Sequence, residues 1–521
     1  MKLESYLSGT WQSGQGDGRT FVNPVTGEEL GRVDASGLDA AAAMDYARDV
    51  GGPALRALGF AERAALLKAV AGVLAENRDR YGEIARLNSG NTAIDAAIDI
   101  DGAIATLKVY ARLGASLGDA RTIIEPGREQ LAREPVFFAR HVWNSRPGVS
   151  LHINAFNFPA WGLWEKAAVA LLAGVPSLSK PATATAWLAV EMMRDVAAAQ
   201  VVPEGALNLL CGDGAALTTA LQPMDSLAFT GSAETAAALR AHPAVLERAP
   251  RLSIEADSIN ATILGPDVSP DSPLFDLAVR EVVKALTVKA GQLCTNIRRI
   301  LVPAAIVGAF QDAVVARLST VTVGDPAAEG VRMGPLVNEA QREAACAGLA
   351  GLSTETRTLC GGGAPKEVAG ADPQQGSFLA PTLLHCADPM AARLIHETEV
   401  FGPCATVMAC QPAEAPALAA RGGGSLAVSL FSNDASYAAE TLQVLAPWHG
   451  RLLIVDEQVG RNHTGHAIVM PQCVHGGPGR AGGGEELGGL RGLRLHLQRS
   501  ALQASEPLLT RIGDAAAVAT L

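Results

Sequence analysis

The chain has 521 residues, 48% of them hydrophobic and 18% charged, with a formal net charge of −11. That length exceeds one ordinary core, so two or three domains are expected, and the apolar content excludes a disordered chain. The acidic balance and the lack of Lys/Arg runs argue against nucleic acid as a partner.

The N-terminus, Met1-Lys-Leu-Glu-Ser-Tyr-Leu-Ser-Gly, has no apolar core of the signal-peptide kind, and no apolar stretch reaches the length of a membrane span. The eight cysteines form no CxxC pair and no zinc-like spacing with histidine. These features predict a cytoplasmic protein with reduced thiols, no metal and no membrane partner.

Residues 1–30 are polar, with turns at Asn23-Pro24 and Thr26-Gly27 between short strands. Phe60 to Asn77 predicts an amphipathic helix with Leu66, Leu67, Val70, Val73 and Leu74 on one stripe. A second helix is predicted from about Ile98 to Gly114, and residues 118–135 read as polar and exposed. Phe137 to His152 alternates around Ser145-Arg146-Pro147-Gly148, which predicts a hairpin.

A βα rhythm follows. Strands at 149–153, 175–179, 206–210 and 226–229 alternate with helices at 164–172, 187–199, 215–221 and 233–242. Regular alternation of this kind predicts a parallel sheet with helices on both faces. A second α/β region runs from near Asp257 past Ile454. The tail is glycine-rich from Gly476 to Gly492, and Leu493–Leu497 alternates like an edge strand.

The chemistry centres on Lys289-Ala-Gly-Gln-Leu-Cys294-Thr-Asn-Ile-Arg298. The preceding Phe275–Leu286 has helical periodicity, and Ile297, Ile300, Leu301 and Val302 read as a strand, so Cys294 lies on a connecting loop. Such a loop can present a reactive sulfur on a rigid scaffold, although a single cysteine also serves as a small buried residue. A thiol that oxidises an aldehyde needs an oxyanion donor, a hydride acceptor and a base for water.

Candidates for each follow a strand. In Asn154-Ala-Phe156-Asn157-Phe-Pro159, the Asn157 amide can donate to an oxyanion or simply cap a turn. Glu255 ends an apolar strand, as a salt-bridge partner or as a base with a raised pKa. Phe229-Thr-Gly231-Ser232 passes from strand to helix, where N–H groups can hold a pyrophosphate. Lys180 in Lys180-Pro-Ala182 can reach a ribose or phosphate, or sit free at the surface. Glu399, ahead of the Phe401-Gly-Pro turn, can hold a ribose diol or accept N–H groups of the turn.

Singly these signals are weak; their order and spacing resemble the aldehyde dehydrogenase superfamily from about residue 6 to residue 500. The resemblance implies an α/β fold with a Rossmann-like cofactor domain (1–132 and 150–256), a catalytic domain (257–485) and a small β oligomerisation flap (133–149 and 486–505). It implies Cys294 as nucleophile, Asn157 with the Cys294 N–H as oxyanion hole, and Glu255 as general base. It further implies a nicotinamide cofactor held by Phe156, Lys180, Thr183, Gly231, Ser232, Glu399 and Phe401, and a homodimer built through the 133–149 hairpin.

FNFPAWGLWEKAA, KPATATAWL, IEADSIN and HGGPGRAGGGEELGGLRGL resemble a narrower subgroup. It comprises the aldehyde dehydrogenase domain of the bifunctional phenylacetate-degradation protein and the single-domain enzyme of the aerobic benzoyl-CoA pathway. The first normally carries a C-terminal hydratase domain, for which 521 residues leave no room, so the chain is expected to be either the single-domain type or a piece cut from the longer protein. This likeness implies oxidation of a semialdehyde still tethered to CoA.

Two positions depart from the wider family: Ala236 replaces a glycine, and Thr183 replaces a glutamate. A glutamate beside the adenosine ribose repels a 2′-phosphate. Neutral Thr183, with Thr185 and Lys180, therefore predicts NADP over NAD, although threonine is also a common N-cap.

Two other chemistries stay open within the fold, a CoA-acylating and a phosphate-dependent reductase. A binding protein on the same scaffold is a third possibility, which Cys294, Glu255 and Asn157 together argue against. A thiol hydrolase would need a histidine near Cys294, and sequence position places none of the ten there.

Overall fold

The computed structural model describes residues 1–515 and 518–520. Two seven-stranded sheets carry the architecture. The first runs in the order Arg251–Glu255, Ser226–Thr230, Ser150–Ile153, Ser177–Lys180, Leu207–Leu209, Ser5–Leu7 and Thr10–Gln12. Its first five strands are parallel, and the two N-terminal strands add antiparallel.

The parallel strands are apolar or small-residue runs buried on both faces, as a sheet covered by helices requires. One face packs on the helices Phe60–Glu76, Ala93–Ala115, Trp161–Leu172 and Ala186–Ala199, the other on Ala40–Tyr46, Ala215–Thr219 and Ala233–Arg240. Ala236 is fully buried in this second core, so the extra methyl is accommodated there.

The second sheet orders Arg357–Cys360, Thr382–Cys386, Cys404–Cys410, Ile297–Pro303, Asn260–Leu264, Ser425–Phe431 and His449–Val455. Only Arg357–Cys360 is antiparallel to its neighbour. The helix Pro273–Thr287 packs on it, started by Ser272, whose hydroxyl accepts from the Phe275 N–H, with Pro273 at its first position.

A third, five-stranded sheet joins distant parts of the chain. Phe138–Ser145 lies between Leu497–Ala504 on one side and Thr122–Ile124 with Glu129–Gln130 on the other.

Here the sequence reading needs correction. Phe138–Ser145 and Ser150–Ile153 do not form a hairpin; they belong to different sheets. The Pro147-Gly148 corner crosses between the sheets because Arg146 is pinned, donating to the carbonyls of Pro223 and Met224. A Cβ at Gly148 would lie 2.2 Å from the Met224 oxygen, so only glycine fits that approach.

The edge strand is Leu497–Ala504; residues 489–495 form a 3₁₀ turn instead. Residues 118–135 are not wholly exposed, because Ile123 and Ile124 are buried in the third sheet. Helices at Ala40–Tyr46, Gly52–Ala57 and Arg78–Ser89 were not predicted. No helix among the described residues is long and apolar enough to cross a membrane.

Candidate active site

The loop bearing Cys294 is built from an unusual backbone. Lys289, Ala290 and Gly291 take φ of +49°, +50° and +68°. Two of these carry side chains, a conformation that persists only where the surroundings impose it. The Lys289 N–H donates to buried Asp95, and the Asn296 amide donates to the Gly291 carbonyl. Asn260 donates to the carbonyls of both Cys294 and Asn296 at 2.9 Å. Gly291 is required: a Cβ there would meet the Gly402 oxygen at 2.4 Å, where the loop touches the Glu399–Pro403 turn.

Glu255 stands at the end of Arg251–Glu255, beside Thr230 in register, and its carbonyl accepts from the Gly231 N–H at 3.1 Å. The glycine-rich tail lies along the free edge of this strand. Ala256 donates to the Ala481 carbonyl and Gly484 donates to the Ile254 carbonyl. Cβ atoms at Gly482 and Gly484 would lie 2.2 and 2.6 Å from Ile254 backbone, which accounts for the glycines there.

That contact carries in a residue that the sequence reading missed. His475, on Val474–Gly476, places Nε2 2.8 Å from Glu255 Oε2. Across the two-stranded ribbon His475 pairs with Glu486, whose carboxylate is 3.0 Å from Lys166 Nζ; Lys166 also lies 3.3 Å from Glu165. His475 therefore is near Cys294 after all, with its ring nitrogen on the carboxylate. The only retrospective signal is its place beside glycines that must lie against another backbone.

Donor atoms of Glu255, Cys294 and His475 all lie within 4.8 Å of one another. They line a narrow cavity of about 60 Å³ with Asn157, Phe158, Trp161 and Thr230. The Asn157 amide donates one hydrogen to the Gln292 carbonyl at 3.0 Å, leaving its second for the cavity.

The electrostatics follow from burial and pairing. Burial alone pushes the Glu255 carboxyl up, but His475, Lys166 and the Cys294 thiol outweigh it and hold it at about 2. Of the two readings left open for Glu255, the geometry gives the salt-bridge partner: it is an ion-paired carboxylate whose pKa is lowered, not raised. His475 is raised, because Glu255 overcomes the penalty of burial. Burial, then the Glu255 charge, push the Cys294 thiol well above its ordinary value, so it rests protonated. Glu255 Oε1 is buried with no partner.

The remaining predicted residues line the C-terminal ends of the first sheet and the facing turn. Phe156 and Phe401 meet edge to face at 5.6 Å, and the Arg298 guanidinium lies 5.6 Å from the Phe401 ring centroid. Glu399 accepts from the Ser258 N–H and lies 3.6 Å from Arg298. Burial raises its carboxyl to about 7, despite Arg298.

Ser232 caps the helix Ala233–Arg240, accepting from the Thr235 N–H, and the Ala233 N–H donates to Asp257. The Lys180 side chain runs over Gly214, and burial lowers its pKa. Thr183 opens the turn Thr183–Thr185 and lines a separate, wide cleft with Arg19, Thr20 and Arg342. Thr185 does not face that cleft. It is 1% exposed, and its hydroxyl donates to the Phe156 carbonyl.

A nicotinamide dinucleotide fits this surface. Buried polar atoms without partners, both ends of the Asn154 amide, the Thr230 hydroxyl and Glu399 Oε1, mark the groove between strand ends and turn, as a hydroxyl-rich ligand requires.

The sequence matches the aldehyde dehydrogenase family over residues 11–468. It is 50% identical over 479 residues to a 3,4-dehydroadipyl-CoA semialdehyde dehydrogenase of Aromatoleum evansii, covering 92% of this chain and 93% of that one. A 184-residue segment is 43% identical to protein MaoC of Klebsiella aerogenes, covering 35% of this chain and 53% of that protein. The fold superposes on a solved NADP-dependent enzyme of E. coli with a TM-score of 0.83 at 24% identity, covering 97% of this chain and 98% of that one.

Proposed function

The chain belongs to the aldehyde dehydrogenase family, and from that premise we propose that it oxidises a CoA-linked semialdehyde to the acid with NADP. The observation that carries the chemistry is the meeting of Cys294, Glu255 and Asn157 in one cavity. The substrate class rests on the 50% identity to the A. evansii enzyme. A cavity of about 60 Å³ suits such a substrate, since it admits the aldehyde end of a chain and leaves a CoA moiety outside.

In this reading the thiol loses its proton to solvent as the S–C bond forms, and Glu255 stays ionised. The second Asn157 N–H donates to the developing oxyanion of the thiohemiacetal. A nicotinamide cofactor held at the strand ends would supply the hydride acceptor, and loss of hydride from the thiohemiacetal carbon leaves a thioester on Cys294. Glu255 then takes a proton from water through Oε1, and the hydroxide releases the acid and returns the sulfur. His475 occupies Oε2, which leaves Oε1 without a partner and free to take the proton.

The assignment of 1–132 with 150–256 to cofactor binding and 257–485 to catalysis belongs to the same proposal, supported by the division into two sheets. NADP is favoured by neutral Thr183 and by Arg19, which shares its cleft and whose charge is felt at Lys180.

A homodimer is proposed through the third sheet. With no hairpin at 133–149, the edge offered is Leu497–Ala504, unpaired on its outer side among the described residues and largely exposed. A cytoplasmic setting is proposed because the chemistry needs a reduced thiol.

The test mixes enzyme with NADP or NAD and either 3,4-dehydroadipyl-CoA semialdehyde or free aliphatic aldehydes, and follows reduced cofactor. The CoA-linked substrate should give the higher kcat/KM, and Cys294→Ala should fold and lose essentially all turnover. Equal efficiency with free aldehydes defeats the substrate assignment; activity of Cys294→Ala within tenfold of wild type defeats the nucleophile.

A further inference from the structure

We propose that Cys294, His475 and Glu255 form a three-donor site for a thiophilic divalent cation, Zn²⁺ above all, whose binding reversibly silences the enzyme. The site deepens the proposed function, because it would use the same groups.

A thiol sulfur, an imidazole nitrogen and a carboxylate oxygen are the three ligand types zinc takes, and here they come from three separate segments converging on one cavity. Bonds of about 2.0–2.3 Å at a tetrahedral centre set ligand atoms about 3.3–3.6 Å apart. His475 Nε2 and Glu255 Oε2 are 2.8 Å apart, and all three donors lie within 4.8 Å, so shifts near 1 Å would seat the ion. Glu255 is 4% exposed, lines the cavity, and has Oε1 without a hydrogen-bond partner, so a carboxylate oxygen there is left without a donor. The fourth position faces the cavity and is free for water.

On binding, Zn–S, Zn–N and Zn–O bonds form, the protons of the thiol and the imidazolium pass to solvent, and nothing is oxidised. One hard oxygen ligand is too few for Mg²⁺ or Ca²⁺, which take six or more. Occupancy removes the nucleophile and the base together.

The test uses the full chain, freed of metal by a chelator that is then removed. ZnCl₂ and CoCl₂ are titrated, with Co²⁺ reporting thiolate coordination by a charge-transfer band in the near ultraviolet. Alkylation of Cys294 by iodoacetamide is followed by peptide mapping. Exposed Cys473 is the natural competitor, so Cys473→Ser is run alongside.

One equivalent of Zn²⁺ should slow Cys294 labelling at least tenfold, stop turnover, and be reversed by EDTA, while millimolar Mg²⁺ does nothing. The Co²⁺ band should survive in Cys473→Ser and vanish in Cys294→Ala. His475→Gln should weaken binding at least tenfold. Unchanged Cys294 labelling under Zn²⁺, or a band lost only in Cys473→Ser, overturns the site. Band and protection without any aldehyde turnover would leave the metal site standing and remove the proposed function.

Discussion

The two ends of the proposed site are built on opposite principles. Around the thiol two largely buried ion pairs, Glu255–His475 and Lys166–Glu486, lie side by side, with His475 and Glu486 opposite each other across the ribbon. At the proposed ribose end, Thr183 stands half-buried on a separate, wide cleft with Arg19 and Arg342. In a buried cluster each charge sets its neighbour's proton affinity, so one substitution is felt through the set. On the cleft, solvent screens such coupling, and a substitution changes one contact.

The largest effect should come from the base. Glu255→Gln should leave the first burst of reduced cofactor intact and lower steady turnover by about 100-fold or more, measured by stopped flow. Loss of both phases alike would show that Glu255 acts before the thioester, and a demand for free CoA as acyl acceptor would show that water is not its partner.

His475→Gln comes next and sharpens the contrast through pH. Glu255 is held at about 2 by His475 and Lys166 against burial. Removing the imidazolium takes away the foremost opposing charge, so the carboxyl must rise. The acid limb of steady turnover should then move up by about one pH unit or more. Burst amplitude near neutral pH should change little.

The pair also contributes to folding in a pH-dependent way. His475 is raised, so its contribution is full below its ordinary value and falls as pH rises through the elevated one. An acid limb unmoved in the variant would mean that His475 does not set the base.

Thr183→Glu should give the smallest effect and the most local. A single charge-assisted contact of roughly 1.5–3 kcal/mol corresponds to about tenfold or more in selectivity. The variant should lose about tenfold in kcat/KM for NADP and keep its value for NAD within a few fold. Wild type favouring NAD, or NADP use unchanged in the variant, breaks the assignment.

The same contrast explains what could be read without a structure. Strand-then-turn signals are local, so Phe229-Thr-Gly-Ser232 and the strand ending at Glu255 lie where expected. The thiol loop was placed correctly because a periodic helix and a β-branched run frame it. His475 was invisible because its partner is more than two hundred residues earlier, and the link is glycine backbone on a sheet edge. The Phe137–His152 alternation misled because alternation does not say which sheet each half joins; Arg146 decides that through Pro223 and Met224. Thr185 was misread because its hydroxyl faces inward to Phe156.

The pairing of Leu497–Ala504 with Phe138–Ser145 also bears on how the molecule is made. Contacts that bridge hundreds of residues form late, since loop closure must precede them. During synthesis Cys294, Asn157 and Glu255 all leave the ribosome before the ribbon of His475 and Glu486, and Leu497–Ala504, the partner of Phe138–Ser145, comes later still. A nascent chain halted short of residue 474 would hold a buried carboxylate with no imidazole against it, beside a thiol. The charge state of the base is therefore set only once the C-terminal ribbon docks on the free edge of the first sheet, after the thiol and the carboxylate have been made.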